Sequence, residues 1–488
     1  MFQSHVRLRR DGGITVSGIA LRGIASHQST MNANADFKTI SGSICAPRGF
    51  KAAAVFCDIK KLGTGKGSEK GQKHDLALII SDVPAAVAGM FTTNQVCAAP
   101  VKISVQRAGR RLARAIVVNS GNANACTGRQ GLRDAEMMAH KTAEAVAALC
   151  ERRKSSNRAT VIDRRYRRIS ADDVLVCSTG RIGVPMPMKN IERGIRECAP
   201  LLARSITNAR QVAEAIMTTD TRRKEIAVEF KIDNRAVRIG GICKGAGMIE
   251  PGMARRGARH ATMLAFITSD AAIESNVLKR ALEAAVARSF NRVTVDGDMS
   301  TNDSVIMLAN GLAENSRIEN RDSRIAVFRR ALAFVTLELA KMIVRDAEGA
   351  TRFISLHVHG ARSAREAEAA ARAIANSTLV KTSWCGGDPN WGRILCALGY
   401  STAKVGESIV DVGYSRAGER EIAFAFRRGR PTNVALNTLA KITSAPEFDL
   451  HVDLHAGAQA FVIYSSDLTE DYVALNKGDV SDPTSLGG

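Results

Sequence analysis

From Gly49 onward the chain alternates short apolar runs with longer stretches of helical spacing. DLALIISD (Asp75–Asp82), AAVAGMFTTN (Ala85–Asn94) and RAIVVNSG (Arg114–Gly121) are apolar segments of strand length bounded by turn residues, and they predict three buried strands. GLRDAEMMAHKTAEAVAALC (Gly131–Cys150) changes to a helical period. DDVLVCSTGRIGVPMPM (Asp172–Met188) then predicts a strand running into a Gly/Pro-rich turn, and KNIERGIRECAPLLA (Lys189–Ala203) another helix. In the second half a helix from Val277 passes into strands around the Asp-rich turn VDGDMSTND, and RIAVFRRALAFVTLELAKMIV (Arg324–Val344) is helical again. Ser363 and Glu366 have capping-box spacing ahead of a further helix. TRFISLHVHG and FDLHVDLHAG alternate with period two, which predicts strands with one solvated face. The class is α/β. Polar, glycine-containing turns at strand ends are where such proteins place ligand groups.

At 488 residues the chain can bury a large core without a disulfide or metal staple. No apolar run reaches the roughly 18 residues a membrane span needs, so no membrane role is expected. The ten cysteines form no CxxC pair and mostly sit in apolar segments, as buried thiols of a reducing compartment do. The net charge of +21 raises the question of nucleic acid. The excess is concentrated in ERRKSSNRATVIDRRYRRISADD (Glu151–Asp173), ARRGARH (Ala254–His260) and the N-terminal VRLRR, and aromatics are only 5%. A solvated face with few stacking platforms for bases is the expectation, and no nucleic-acid partner. Residues 1–45 read as an N-terminal extension, either a targeting segment or a start upstream of Met31; the expected compartment is cytoplasmic, or a mitochondrial matrix or plastid if they form a transit segment.

Two stretches mimic functional motifs. LGTGKGSEKG (Leu62–Gly71) lacks the phosphate-loop spacing and precedes a strand, so it reads as a surface turn. Asp449, His451, Asp453 and His455, like His357 and His359, could share a metal-binding face, but period-two polar residues also mark a wet strand face; no metal and no cofactor is expected. A third stretch, CKGAGMIEPGMARRGARHATMLAFITSDAAI, sets Thr262 at the start of an apolar strand after the small Ala261. A threonine hydroxyl needs a base beside it. Cleavage of the preceding peptide bond would free an α-amine with a pKa of about 8, able to serve as that base.

The chain resembles the ornithine acetyltransferase (glutamate N-acetyltransferase) family from about Gly49 onward. VNSGNANACTG, STGRIGVPMPM, AIMTTDT, KGAGMIEPGMA, ATMLAFITSDAAI, SFNRVTVDGDMSTND, IVRDAEGATRF, LVKTSWCGGDPNWGRIL and DLTEDYVALN carry the resemblance, in the family's order. It implies a layered αββα-type α/β sandwich with a smaller C-terminal α/β domain. It also implies self-cleavage between Ala261 and Thr262, giving an α chain (46–261) and a β chain (262–488) assembled as α2β2. Thr262 would then carry the acetyl group from N-acetylornithine to glutamate, with acetyl-CoA as a possible further donor. The resemblance assigns oxyanion stabilisation to Thr179 and Gly180, and substrate contacts to Thr221, Lys244, Thr262, Glu348, Asn476 and Ser481. Asp388, Asn390 and Arg393 of GGDPNWGR are compatible with a functional turn or with a purely structural one.

This sequence departs from the family in two places. RRGARHA separates Ala254 from Thr262 where the family runs Met-Ala directly into Thr, and an Arg-rich insertion occupies residues 151–172. Two other classes therefore stay open. An N-terminal-nucleophile aminopeptidase or amidase would use water as the acyl acceptor, and a basic binding protein would have lost processing to the insertions.

Overall fold

The computed structural model describes residues 37–60, 73–156, 169–253, 263–320 and 322–477. Most of the N-terminal extension, the Leu62–Gly71 turn, the centre of the Arg-rich insertion, the segment 254–262 with Ala261 and Thr262, and Ser481 lie outside the described residues.

The apolar runs form strands as the alternation predicts, with one instructive difference. Asp75–Asp82 and Ala85–Asn94 are two halves of a single strand, Leu76–Phe91: the turn residues Asp82 and Pro84 at their junction do not reverse the chain. A register shift between Ile80 and Ala85 interrupts the pairing instead. The first nine-stranded sheet contains β1 (Phe37–Thr39), β2 (Phe50–Val55), β3 (Leu76–Phe91), β4 (Leu112–Asn122), β5 (Val174–Arg181), β6 (Lys224–Ile232), β7 (Arg235–Lys244), β8 (Leu264–Ser269) and β10 (Ser304–Ala309). Its order is β1-β6-β7-β8-β10-β3-β4-β5, with β2 on β3. The first half of β3 pairs with β2 and β4, and the second half with β10.

At that bulge the sheet doubles over. Ile79, Ile116, Val118, Leu175 and Cys177 pack in one core with Val87, Ile242, Leu264, Phe266, Ile306 and Leu308, so the β2–β5 half faces the β6–β10 half. The alternate residues of each half point outward, as period two requires. Val228, Ile239, Ala265, Ile267 and Met307 meet the helices Ser275–Val286 and Ile325–Arg345. Leu78, Val117 and Val176 meet the helices Gly128–Ser156 and Met188–Cys198. The result is the four-layer αββα sandwich that the family resemblance implies.

A second sheet of seven strands, with β11 (Phe353–Ala361) and β15 (Glu447–Asp453) parallel at its centre, packs one face against helices that include Ala364–Ala375 and Thr378–Cys385. Ser363 caps the first of these by accepting from the Glu366 N–H. The opposite face is not the open wet surface that the alternation suggested. His357 and Asp449 are buried there, and the His357 ring stacks on His451 at 5.0 Å between centroids. Cross-strand ring stacking, which a one-dimensional pattern cannot register, withdraws part of this face from water. His455 lies beyond the strand end with a positive φ, so the four residues of DLHVDLH do not share one strand.

Candidate active site

The family-matched residues come together where β5 and β7 end and β8 begins. Thr179 and Gly180 close β5. Gly180 has φ +131° and pairs with Gly121, and a Cβ there would lie 2.3 Å from the Gly121 carbonyl carbon. Only glycine fits. Lys244 ends β7 and is buried; its Nζ donates to Thr218 Oγ1 at 2.7 Å and to Thr179 Oγ1 at 3.4 Å. An ammonium has three donors, so one is left for a ligand. Because Lys244 occupies a lone pair of the Thr179 hydroxyl, that hydroxyl's own proton is directed elsewhere.

A buried ion cluster fixes this arrangement. Lys224 opens β6 and donates to Asp220 Oδ1 at 2.6 Å and to Asp346 Oδ2 at 2.5 Å. Asp220 also accepts from the backbone N–H of Thr218 at 3.0 Å and of Gly245 at 2.7 Å, which ties the turn before β6 to the turn after β7. Burial would raise its carboxyl, but the positive fields of Lys244 and Lys224 outweigh that and hold it at about 2. Burial is also the main effect on Lys244, lowering its pKa against the opposing pull of Asp220. Asp346 accepts from the hydroxyl and the N–H of Thr221, so the Thr221 oxygen presents its lone pairs outward.

On the other side stands Glu348, which accepts from Asn476 Nδ2 at 2.8 Å and lies against Gly247, where a Cβ would meet its Oε2 at 2.3 Å. The loop leading out of β7 is pinned along its length. Met248 and Ile249 donate to Asp296, Glu250 pairs with Arg372 and Asn376, and Met253 exchanges two hydrogen bonds with Asn291. Just ahead of β8, Met263 N–H donates to Asp303 Oδ1. Asp303 is fully buried, its Oδ2 has no partner among the described residues, and burial raises its pKa well above the usual carboxylate range.

Thr179, Gly180, Thr221, Lys244, Glu348 and Asn476 thus surround the head of β8, while Ala261, Thr262 and Ser481 lie outside the described residues. Asn390 caps the helix Trp391–Gly399 by accepting from Arg393 N–H, and Asp388 Oδ2 accepts from Asn390 Nδ2. The GGDPNWGR turn is therefore built locally. It borders a groove of about 570 Å³ that contains none of the matched substrate residues. Among the described residues no three potential ligands are grouped to hold a metal ion, and no helix is long and apolar enough to cross a membrane. Sequence reasoning missed Lys224, Asp220, Asp346 and Asp303. The available signal was a charge at the very end of an apolar segment, which is equally common at ordinary surface positions.

Known proteins resemble the chain along most of its length. The chain is 43% identical over 437 residues to the arginine biosynthesis bifunctional protein ArgJ of Symbiobacterium thermophilum, covering 90% of this chain and 98% of that protein. It is 43% identical over 431 residues to the ArgJ of Geobacter sulfurreducens (88% and 98% covered). It is 41% identical over 444 residues to the glutamate N-acetyltransferase of Methanocaldococcus jannaschii (90% and 98% covered). The ArgJ family model matches residues 52–478, nearly all of the sandwich and the second sheet together, and the chain belongs to that family.

Proposed function

We propose that this chain is a glutamate N-acetyltransferase of arginine biosynthesis that moves the acetyl group of N-acetylornithine to glutamate through Thr262. The observation that carries the reading is Lys244. One buried ammonium touches the oxyanion turn at Thr179 and the Thr218–Thr221 turn, beside the strand that follows Thr262. In the cycle, Thr262 Oγ attacks the acetyl carbon while the freed α-amine takes its proton. The carbonyl electrons move to oxygen, where Thr179 and Gly180 donate; each such donor contributes on the order of 3 kcal/mol in acyl-transfer sites. Collapse breaks the C–N bond, the ornithine nitrogen takes the proton, and an acetyl ester stays on Thr262. The glutamate amine then attacks that ester and regenerates the hydroxyl.

Lys244 offers its remaining N–H to a substrate carboxylate. Glu348, Asn476 and the outward lone pairs of Thr221 suit a substrate ammonium, and Ser481 belongs to the same set. Acetyl-CoA fits this scheme as a second acetyl donor, with no bound cofactor required. The α and β parts, 46–261 and 262–488, work as one unit, assembled as α2β2 in the cytoplasm.

Intact masses of the full chain and of Thr262→Ala test the nucleophile. Two fragments, the second beginning at Thr262, are expected in the first and one chain in the second. Acetyl transfer from N-acetylornithine should depend on glutamate. A fully cleaved preparation that makes no N-acetylglutamate overturns the assignment, and acetate release independent of glutamate would favour the amidase class.

A further inference from the structure

Besides Lys244, which reaches Thr179 from β7, a second side chain joins the two halves of the folded sheet at the site. Asn302, just before β10, belongs to the half that carries β8. Its Nδ2 crosses to the other half and donates to the Ser178 carbonyl at 2.8 Å and to the Ala123 carbonyl at 2.6 Å. The direction of this amide is set from behind, because Thr301 Oγ1 donates to Asn302 Oδ1 at 2.5 Å, leaving only the NH2 edge to face the carbonyls. Below it, Ser178 Oγ donates to Asn119 Oδ1 at 2.6 Å, and Asn119 Nδ2 donates to the Asn122 carbonyl at 2.9 Å. Asn302 is buried, and all of its side-chain hydrogen-bonding capacity toward the turn is used.

The geometry has a consequence for the neighbouring peptide. In a planar trans peptide the carbonyl of one residue and the N–H of the next lie in one plane and point in opposite directions. Holding the Ser178 oxygen therefore fixes the plane of that peptide, and with it the Thr179 Cα from which the hydroxyl projects. On the β8 side, Ser304 is in parallel register with Leu264, so the segment carrying Asn302 leaves the sheet beside the strand that begins two residues after Thr262. Asn302 thus joins the strand head behind the nucleophile to the peptide that opens the oxyanion turn.

We propose that Asn302 is a positioning residue that sets the distance and direction between the nucleophile's strand and the Thr179–Gly180 oxyanion turn. The proposal rests on the acyl-transfer reading above. It predicts a loss of turnover rather than of binding, because a displacement of about 1 Å at a reacting centre costs on the order of 10²-fold in rate.

Asn302→Ala should lower kcat by on the order of 10²-fold and leave the KM for N-acetylornithine within about threefold. Thr301→Val keeps the volume of the site but frees the amide to turn over, and should lower kcat by a smaller factor, on the order of tenfold. The decisive readout is a double-mutant cycle with Thr179→Ala. If Asn302 works through the oxyanion turn, adding Asn302→Ala to Thr179→Ala should change kcat little further. Multiplying losses, or a kcat within threefold of wild type in Asn302→Ala, overturn the proposal. Should Asn302→Ala not fold, Thr301→Val in the same cycle gives the same decision. Wild-type protein that hydrolyses N-acetylornithine without transfer refutes the transferase reading only, and the cycle is then run on acetate release. Wild-type protein inactive in both assays removes both claims.

Discussion

Replacing Lys224 by methionine removes the charge between two buried carboxylates while keeping most of the unbranched side chain. At 2.6 and 2.5 Å, each contact is worth about 6 kcal/mol of attraction at an effective dielectric constant of 20, most of it offset by desolvation of the three groups. What the variant loses is the compensation. Asp220 keeps two backbone N–H donors and the field of Lys244, and Asp346 keeps Thr221 and the Arg222 N–H, so neither is stripped bare. Breaking a buried pair by deleting one partner costs roughly 3–5 kcal/mol, and that is the expected loss at pH 7.5. The loss should shrink in acid. Without Lys224 the Asp220 carboxyl rises from about 2 and takes up a proton more easily, so at pH 5 part of the penalty is relieved. Neutralising all three positions, in Asp220→Asn/Lys224→Met/Asp346→Asn, should recover at least half of the stability. Urea unfolding should be followed by far-ultraviolet circular dichroism, because both tryptophans, Trp384 and Trp391, lie in the C-terminal lobe and would not report on the sandwich. A change below about 1 kcal/mol, or one that does not ease between pH 7.5 and 5, refutes the view that this cluster holds the site together.

Asp303 should show the opposite sign. Its folded pKa is raised, so the unfolded chain releases that proton near pH 4 while the fold retains it, and wild-type stability falls as pH rises from there through the folded value. Asp303→Asn keeps an acceptor for the Met263 N–H and removes the ionisation, so its Tm relative to wild type should increase from pH 4 to pH 8; a constant or shrinking difference contradicts this. Gly180→Ala meets a φ of +131° and a backbone carbon 2.3 Å away. Strain and overpacking together should cost roughly 2–5 kcal/mol or displace the turn, with transfer falling at least about 10²-fold. Wild-type turnover in that variant would remove the turn from the mechanism.

Much of the fold was written in the periodicity. The change from period two to helical spacing placed the helices after β4 and β5, and the alternation inside β8 and β10 put Leu264 and Ile306 on one face and Ala265 and Met307 on the other. The doubling of the sheet was not legible, because the same apolar run from Leu76 to Phe91 serves a straight strand or a bent one. The site was legible only as motifs. Periodicity makes Lys244 the end of a strand, and neither pattern nor charge says that its ammonium lies between Thr179 and Thr218. Lys224 and Asp346 are 122 positions apart, a contact that only the finished topology creates. Asn302 is legible least of all, since an asparagine in a polar turn is unremarkable until its amide is seen joining the two halves of the folded sheet.

The same topology answers what would hold the halves together once the bond before Thr262 is cut. β7 lies upstream of that bond and β8 downstream, and they pair in antiparallel register from Ile239–Ser269 to Lys244–Leu264. β10 is likewise downstream and pairs with β3 upstream along six residues, from Ser304–Phe91 to Ala309–Ala86. Each of the two cores on either side of the β6–β10 half draws on both segments, Val228 and Ile239 with Ile267 and Leu332 in one, Ile116 and Ile242 with Phe266 and Ile306 in the other. Separating the segments would expose those cores, at about 25 cal/mol for each Å² of apolar surface returned to water. Cutting one peptide bond relieves none of that burial. Cleavage of the proposed bond ahead of β8 would therefore leave the β7–β8 and β3–β10 pairing in place and the sandwich closed, with no need for β5 or β7 to move.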